Sequence, residues 1–512
     1  MKVDVKKGSP AAFRGEAIVV CHFEDSRKLE GAALQLERSS GGLLGEVIKS
    51  GDFTGKLAQV SVIYTRGALP ARRVLLLGLG KKKEFDPEKL RRAFSKAARA
   101  IRELGIPGFA ASLVSVDGPR SLEDLTEAAV EGVLLGLYRF THFKTPDKKE
   151  ERNVKAFTLL AAGDGEARRM KAAAQRAEIV SKAVCYARDL VSTPSNEMTP
   201  TDMARRAKDA AASPKVRLTV LDNGKMEKLG MNALLSVARG SMEPARFIIL
   251  EYEGGSRSER PYVIVGKGIT FDSGGISLKP PDKMEEMKAD MSGGAAVLAV
   301  IKAAAELRIP LNLVGLVPAT ENLPGGRAYK PGDVLRSMSG KTIEVISTDA
   351  EGRLILADAL TYAARFKPKA IIDMATLTGA CIIALGDDVI GMMGTDDGLK
   401  NDLRRAATET GEKLWELPIW DDYAELIKSD VADMKNTGGR AGGAITAAVF
   451  LGKFVGEIPW VHLDIAGPAW LSKERHYIPR GASAVGVRLL VRFLRDKAAA
   501  GKGPATVSSS DH

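Results

Sequence analysis

Short apolar runs and longer segments with helical spacing alternate along almost the whole chain. In the first third, apolar runs at 17–23, 60–64, 74–77, 109–116 and 157–161 predict strands. Between them, 87–104 and 122–143 repeat apolar positions every three to four residues and predict amphipathic helices. The opening Met1-Lys2-Val3-Asp4-Val5-Lys6-Lys7 alternates apolar and polar residues like a first strand. The polar stretch 144–154 (KTPDKKEERNV) predicts a surface loop. A long helical segment follows over about 166–190 and stops before Thr193-Pro194, because proline cannot continue a helix. Beyond it the alternation resumes. Strands are expected at 216–221, 246–252, 262–265, 311–317, 343–346, 370–374 and 460–463, and helices at 291–307, 354–366 and 444–454. The pattern therefore predicts an α/β protein in two halves joined by a helix, with no internal repeat.

Composition changes this picture little. A chain of 512 residues, 45% hydrophobic and 27% charged, has room for a sizeable core and more than one domain. It contains no apolar run of about 18 residues, so no membrane span is expected. Its start lacks the apolar segment of a secretory signal. Cys21, Cys185 and Cys381 are far apart and odd in number, which excludes a zinc spacing or a disulfide framework. They read as buried apolar residues in a reducing cytoplasm. The net charge of +11 permits contact with phosphate backbones. The basic clusters Lys81-Lys82-Lys83, Arg91-Arg92 and Lys148-Lys149 are short, however, and no aromatic residues interleave with them.

Charge changes the picture where it gathers at the ends of apolar runs. Lys267 follows Tyr262-Val263-Ile264-Val265-Gly266, with Asp272-Ser273-Gly274-Gly275 and Lys279 beyond it. Open α/β sheets bind ligands at the carboxyl ends of their strands. The Gly266-Lys267 pair lacks the spacing of a P-loop. Asp290 precedes an apolar helical run and could cap it. Asp349 and Glu351 precede the helix from Leu354 and could favour its N-terminus. Asp349, Glu351 and Arg353 stand two apart, so in an extended segment they would share one face. Carboxylates gathered this way need neutralising, and divalent metals are the usual answer.

Three strings carry a specific resemblance: Val265-Gly266-Lys267-Gly268-Ile269-Thr270-Phe271-Asp272-Ser273-Gly274-Gly275, Met287-Lys288-Ala289-Asp290-Met291 and Thr348-Asp349-Ala350-Glu351-Gly352-Arg353-Leu354. With Lys330-Pro331-Gly332-Asp333, Ala375-Thr376-Leu377-Thr378-Gly379-Ala380 and His462-Leu463-Asp464-Ile465-Ala466-Gly467, they resemble the leucyl aminopeptidase family (cytosol aminopeptidase, peptidase family M17). The resemblance is strong over about 180–495.

The resemblance implies a smaller N-terminal α/β domain (1–164), a connecting helix (165–191) and a larger C-terminal catalytic metallopeptidase domain (192–497) with a mixed central sheet flanked by helices. A disordered tail (498–512) would follow. It implies two divalent ions per subunit, Mn²⁺ or Zn²⁺. One would be held by Lys267, Asp272, Asp290 and Glu351, and the other by Asp272, Asp349 and Glu351. Lys279 would polarise the scissile carbonyl and stabilise the oxyanion. Arg353 would hold a bicarbonate that serves as general base, with the backbone near Leu377 positioning it; a guanidinium cannot itself be the base. Met287, Thr376, Gly379 and Ala466 would line a pocket for leucine-like side chains, each buried methylene contributing roughly 0.8 kcal/mol. The implied substrates are peptides with a free N-terminus, in a cytoplasmic homohexamer. Ser347, Ser192 and Ser483-Ala484 depart from the family's usual residues without removing an implied ligand. Two other readings compete. A two-metal phosphoesterase would want more histidines than the five present, and a secondary DNA-binding role rests on the basic charge alone.

Overall fold

The structure, a computed structural model, describes residues 1–113, 120–145 and 152–500. The end of the strand expected at 109–116, the Lys148-Lys149 cluster and the tail from 501 lie outside the described residues. By contact density the chain divides into two compact units, Met1–Lys182 with Lys473–Arg480, and Ala183–Ser472 with Gly481–His512.

The N-terminal unit is built on a six-stranded sheet: β1 (Lys2–Lys7), β2 (Ile18–His22), β3 (Val60–Tyr64), β4 (Arg73–Gly78), β5 (Gly108–Ser112) and β6 (Ala156–Ala161). Its order is β1-β6-β5-β2-β4-β3, and every pairing is parallel except β3 with β4. Parallel strands are covered on both faces, which is why β2 reads as an unbroken buried run. The helix Pro87–Glu103 starts where Asp86 caps it, its side chain accepting from the Lys89 N–H, with proline at the first helical position. The next helix, capped by Ser121, spans Leu122–Gly136 and so ends seven residues before the expected 143. Beyond Gly136 the chain carries Tyr138, Phe140, Thr141, His142 and Phe143, all weaker helix formers.

The second unit holds a nine-stranded mixed sheet. Its members are β7 (Val216–Leu221), β8 (Arg246–Glu253), β9 (Tyr262–Gly266), β10 (Gly268–Asp272), β11 (Asn312–Asn322), β14 (Ala370–Ala375), β15 (Val389–Gly394), β16 (Lys413–Glu416) and β18 (Trp460–Asp464). A small sheet of β12 (Val334–Arg336), β13 (Thr342–Glu344) and β17 (Met434–Lys435) lies apart from it in pairing. The large sheet runs β16-β15-β18-β14-β9-β11-β8-β7, with β10 pairing alongside the end of β11. Its centre, β18-β14-β9-β11, is parallel, so the carboxyl ends of four strands finish on one side. The central β14 is buried at all six positions.

Residues 268–272, where no strand is expected, form one, so Asp272 stands at a strand end. The strand expected at 343–346 covers 342–344 and belongs to the small sheet. The last helix, Val487–Ala500, continues three residues into the stretch expected as tail from 498, because Ala498–Ala500 are strong helix formers. The long helix after β6 spans Asp164–Ser192. Cys21 and Cys381 are buried as expected, whereas Cys185 is only partly so. Burial pushes the thiol of Cys185 up to about 11 and those of the other two up to about 12, leaving all three protonated at neutral pH.

One close approach sets the geometry that follows. The helix Ser292–Glu306 is alanine-rich and almost wholly buried, and its first turn presses onto the ends of β9 and β14. A Cβ on Gly293 would sit 2.1 Å from the Met374 carbonyl oxygen, and one on Gly266 would sit 2.3 Å from the Gly293 carbonyl oxygen. Only glycine at both positions lets the helix start so near the strands. We expect Gly293→Ala to lower stability by roughly 1–3 kcal/mol, the scale of overpacking in a tight core, read from the shift of the urea midpoint. A second outcome concerns Asp358, buried in the helix Gly352–Ala363, where it accepts from Leu234 and Met338 N–H groups. Burial pushes its carboxyl up to about 7. A native acid that holds its proton more tightly than the unfolded chain stabilises at low pH and loses that contribution as pH rises. Between about pH 4 and 7, therefore, the stability of the protein relative to Asp358→Asn should fall, measured by urea unfolding at each pH.

Candidate functional site

The expected site residues come from strand ends and from the loops behind them. Lys267 follows β9, Asp272 ends β10, Thr376 follows β14 and Asp464 ends β18. Asp290 lies in the short 3₁₀ helix Met284–Met291 that leads into the Ser292 helix. The following cap position makes no side-chain cap hydrogen bond, so the capping reading of Asp290 is excluded. Glu351 is helical in backbone and its side chain caps nothing, while Arg353 lies in the first helical turn. The extended-segment reading of Asp349, Glu351 and Arg353 therefore fails, because the chain has already turned into helix.

The carboxylates of Asp272, Asp290 and Glu351 are buried, with oxygens all within 4.8 Å of one another. Lys267 Nζ lies 2.7 Å from both Asp290 Oδ2 and Glu351 Oε1 and donates to the Thr376 carbonyl at 3.1 Å. Lys279 Nζ bridges Asp272, at 2.9 Å, and Asp349. Asp349 is the outermost acid, its side chain 38% exposed. Burial raises the carboxyls of Asp290, Glu351 and Asp349, most strongly Asp290, and the neighbouring acids add to the effect. Burial works against the charge on both lysines, yet the facing carboxylates outweigh it and hold them above their ordinary range.

Hydrogen bonds fix the acids. Asp272 Oδ1 accepts from the Gly274 N–H at 2.9 Å and from Asn322 Nδ2 at 2.8 Å. Asp290 Oδ1 accepts from the Thr376 hydroxyl at 2.6 Å. Glu351 Oε2 is buried and accepts nothing. A buried acceptor with no donor is costly, and a cation beside it would remove the cost. Three buried carboxylates, an orphaned oxygen among them and an adjacent amine make an oxygen-rich set that suits a hard or borderline divalent ion.

Arg353 stands apart from this group. It is buried, makes no ion pair with a described residue and donates only to the Asn436 carbonyl, at 2.9 Å. Burial pushes its guanidinium down to about 10, although the charges of Glu351 and Asp464 pull the other way. The side chain of Arg353 thus forms no salt bridge to a described carboxylate.

The pocket residues divide. Thr376 is tied to Asp290, and the Leu377 and Ala466 N–H groups both donate to Asp464 Oδ1 at 3.1 Å. Met287 lies one 3₁₀ turn before Asp290, and Gly379 begins the helix Gly379–Leu385, capped by Thr378. His462 is a buried partner of Asp373, at 2.6 Å, not a member of the acid cluster. Ser347 Oγ accepts from the Asp349 N–H, and Ser192 meets Lys288 through its carbonyl. Ala484 does hold a left-handed φ of 59°.

Sequence reasoning missed Asn322, Tyr329, Thr348 and Asn436. Asn322 Nδ2 also donates to the Thr348 carbonyl, at 3.0 Å, and the Tyr329 hydroxyl donates to the same oxygen at 2.8 Å. Asn436 accepts from Ile346 N–H and donates to the Ser347 carbonyl. A polar Glu321-Asn322 pair closing a long apolar strand was the one signal in the sequence for Asn322.

Comparison with known proteins followed from this geometry. The cytosol aminopeptidase family catalytic-domain model matches residues 185–491, and the model of that family's N-terminal domain matches 18–147. A probable cytosol aminopeptidase of Geobacter sp. (strain M21) is 49% identical over 498 residues, covering 97% of this chain and 100% of its own. Another, of Geotalea uraniireducens (strain Rf4), is 51% identical over 462 residues, covering 90% of this chain and 92% of its own. Among solved structures, a mutant of tomato leucine aminopeptidase superposes with a TM-score of 0.87 at 34% identity, over 97% of this chain and 96% of that one. The bottromycin maturation enzyme BotP in complex with Mn gives 0.84 at 31% identity, over 94% and 100%.

Glu351→Gln should weaken Mn²⁺ binding by more than the roughly 10–100-fold typical of losing an outer-shell partner, and Asn322→Ala should fall within that range. Isothermal titration of the metal-free protein reads both.

Proposed function

The chain belongs to the cytosol aminopeptidase family, and from that premise we propose that it is a leucyl aminopeptidase with a dinuclear metal site. Metal-dependent hydrolysis of N-terminal peptide bonds is the activity of the family; the finer assignments are proposals. The observation that carries them is the buried triad Asp272, Asp290 and Glu351, two of whose members share Lys267 at 2.7 Å while Glu351 Oε2 has no partner.

In this reading Lys267, Asp272, Asp290 and Glu351 hold one divalent ion, and Asp272, Asp349 and Glu351 hold a second. When bound, such ions supply Lewis acidity and lower the pKa of water at neutral pH. Mn²⁺ and Zn²⁺ both suit the donor set, and the solved relative in complex with Mn favours the first. Lys267 must give up its proton to serve as a ligand, and its pairs with Asp290 and Glu351 keep it in place until then.

Lys279 is the group that meets the substrate carbonyl. Its ammonium is held charged by Asp272 and Asp349, so it can stabilise negative charge developing on the carbonyl oxygen. Arg353 would hold an anion, bicarbonate, which would supply the general base when bound. A buried guanidinium with no ion pair and one carbonyl partner has donors left to hold it. Asp464 accepts from both the Leu377 and Ala466 N–H groups, and these residues with Met287, Thr376 and Gly379 would line the side-chain pocket. An apolar pocket of this kind separates substrates differing by one methylene by only about 1–3 kcal/mol, so leucine-like residues are preferred over a broad range. The homohexameric assembly and cytoplasmic location of the reading rest on the family; a secondary DNA-binding role has the net charge alone behind it. No described helix is long and apolar enough to cross a membrane.

Hydrolysis of leucine-p-nitroanilide tests the reading. Activity should vanish on chelation, return with Mn²⁺ or Zn²⁺, and fall by orders of magnitude in Asp349→Ala and Glu351→Ala. Arg353→Ala should keep metal affinity but lose most of kcat, with partial return at high bicarbonate. A metal-loaded wild type inactive across several N-terminal residues would overturn the assignment.

A further inference from the structure

Two of the concavities in the N-terminal unit carry an excess of basic lining residues. The larger, about 1420 Å³, lies beyond the carboxyl ends of β1, β5 and β6. Two of its cations are already paired, Lys7 with Asp164 at 2.9 Å and Arg169 with both oxygens of Glu123 at 2.7 and 2.8 Å. The smaller, about 540 Å³, is lined by Arg99, Arg102, Arg139 and Arg152, with Glu103 and Glu474 as its acids. Arg99 donates to the Gly136 carbonyl at 3.0 Å and pairs with Glu474, and Arg152 donates to the Glu103 carbonyl. Neither the Arg102 nor the Arg139 guanidinium makes an ion pair or hydrogen bond with a described residue. Four guanidinium groups against two carboxylates leave the lining with a charge of 4 − 2 = +2. The crowding is felt within it: after burial, the charges of Arg139 and Arg99 are what push the Arg102 guanidinium down. A helix C-terminus favours a cation and accounts for Arg102 at the end of Pro87–Glu103, but not for four arginines around one cleft.

We propose that this cleft binds a small phosphate monoester. A phosphate monoester carries about −1.5 to −2 at neutral pH, which matches the uncompensated charge, whereas a single carboxylate would offset half of it. Guanidinium groups bind phosphate oxygens in a two-pronged, directional way that favours arginine over lysine at such a site. The site is distinct from the acid cluster, whose lysines are saturated by carboxylates, and it does not depend on the reading of that cluster as a peptidase centre.

Isothermal titration of the full chain loaded with Mn²⁺, using glycerol 3-phosphate as probe, tests the proposal. The expected result is saturable binding with a dissociation constant of about a millimolar or tighter. It should weaken roughly tenfold or more in Arg102→Gln/Arg139→Gln, the scale of one lost charge-assisted hydrogen bond. It should weaken again as salt is raised, while Arg168→Gln and the hydrolysis of leucine-p-nitroanilide stay unchanged. Acetate at equal ionic strength should give no comparable heat. Arg139 is exposed, so Arg139→Gln alone keeps the test decisive if the double variant folds poorly. The proposal is overturned by the absence of binding to wild type. Binding that persists at full strength in the arginine variants would equally overturn it, since the probe would then be sitting at the metal centre.

Discussion

Burying three carboxylates with oxygens within 4.8 Å of one another is the constraint on which the rest of the catalytic unit depends. Removing one ion from water costs several kcal/mol even after the protein relaxes, and like charges in one buried site add to it. Asp272, Asp290 and Glu351 meet that condition together. The chain answers with cations placed between acids rather than beside them. Lys267 spans Asp290 and Glu351, and Lys279 spans Asp272 and Asp349. Each ammonium lowers the repulsion between two acids at once, which two separate surface ion pairs could not do.

That arrangement demands a scaffold able to deliver charged groups from different parts of the sequence to one point. Parallel strands do this, because their carboxyl ends all open on the same side. Here β9, β10, β11, β14 and β18 end at or just before Lys267, Asp272, Asn322, Thr376 and Asp464. The price is crowding, and the glycines at 266 and 293 relieve it by letting the Ser292 helix start against the strands. Asn322 and Tyr329 then tie the strand ends to the Thr348 carbonyl, and thus to the loop that carries Asp349 and Glu351. The acid cluster and its framework are one polar network in which backbone carbonyls serve as joints.

Much of this was legible in the sequence, for a definable reason. The α/β alternation and the central strands were visible because strands buried on both faces are nearly unbroken apolar runs, as in β9 and β14. The acids stood out because charge right after such a run cannot belong to the core. What was not legible was local conformation where chemistry overrides pattern. Gly268-Ile269-Thr270-Phe271-Asp272 is too short and mixed an apolar run to be marked as a strand; it is one because β11 is long enough to pair with a second partner beyond β9. The two-residue spacing from Asp349 to Arg353 suggested one extended face, whereas Glu351 is already helical and sends Arg353 elsewhere. Tyr329 and Asn436 were invisible because their role is to bond to backbone oxygens of distant segments, which leaves no mark on sequence spacing.

The separation of Arg353 from the two lysines follows from the same electrostatics. Lysine is a compact charge on a flexible stem, able to reach between two carboxylates and, if needed, to surrender its proton. Arginine keeps its proton and presents a fixed fork, so placing it inside the acid cluster would lock it into a permanent salt bridge. The chain instead puts the guanidinium about half a helical turn on, anchored by a neutral carbonyl of Asn436 while Glu351 and Asp464 act on it without pairing. A cation that is buried, favoured by nearby negative charge and yet unpaired keeps its capacity to bind an anion. The acids and lysines thus form a neutralised centre that metals can enter by displacing protons, and the arginine forms a separate seat whose charge the centre does not consume. Keeping those two functions from cancelling requires the helical half-turn between Glu351 and Arg353, which turns their side chains to different faces, whereas an extended segment would put both on one face.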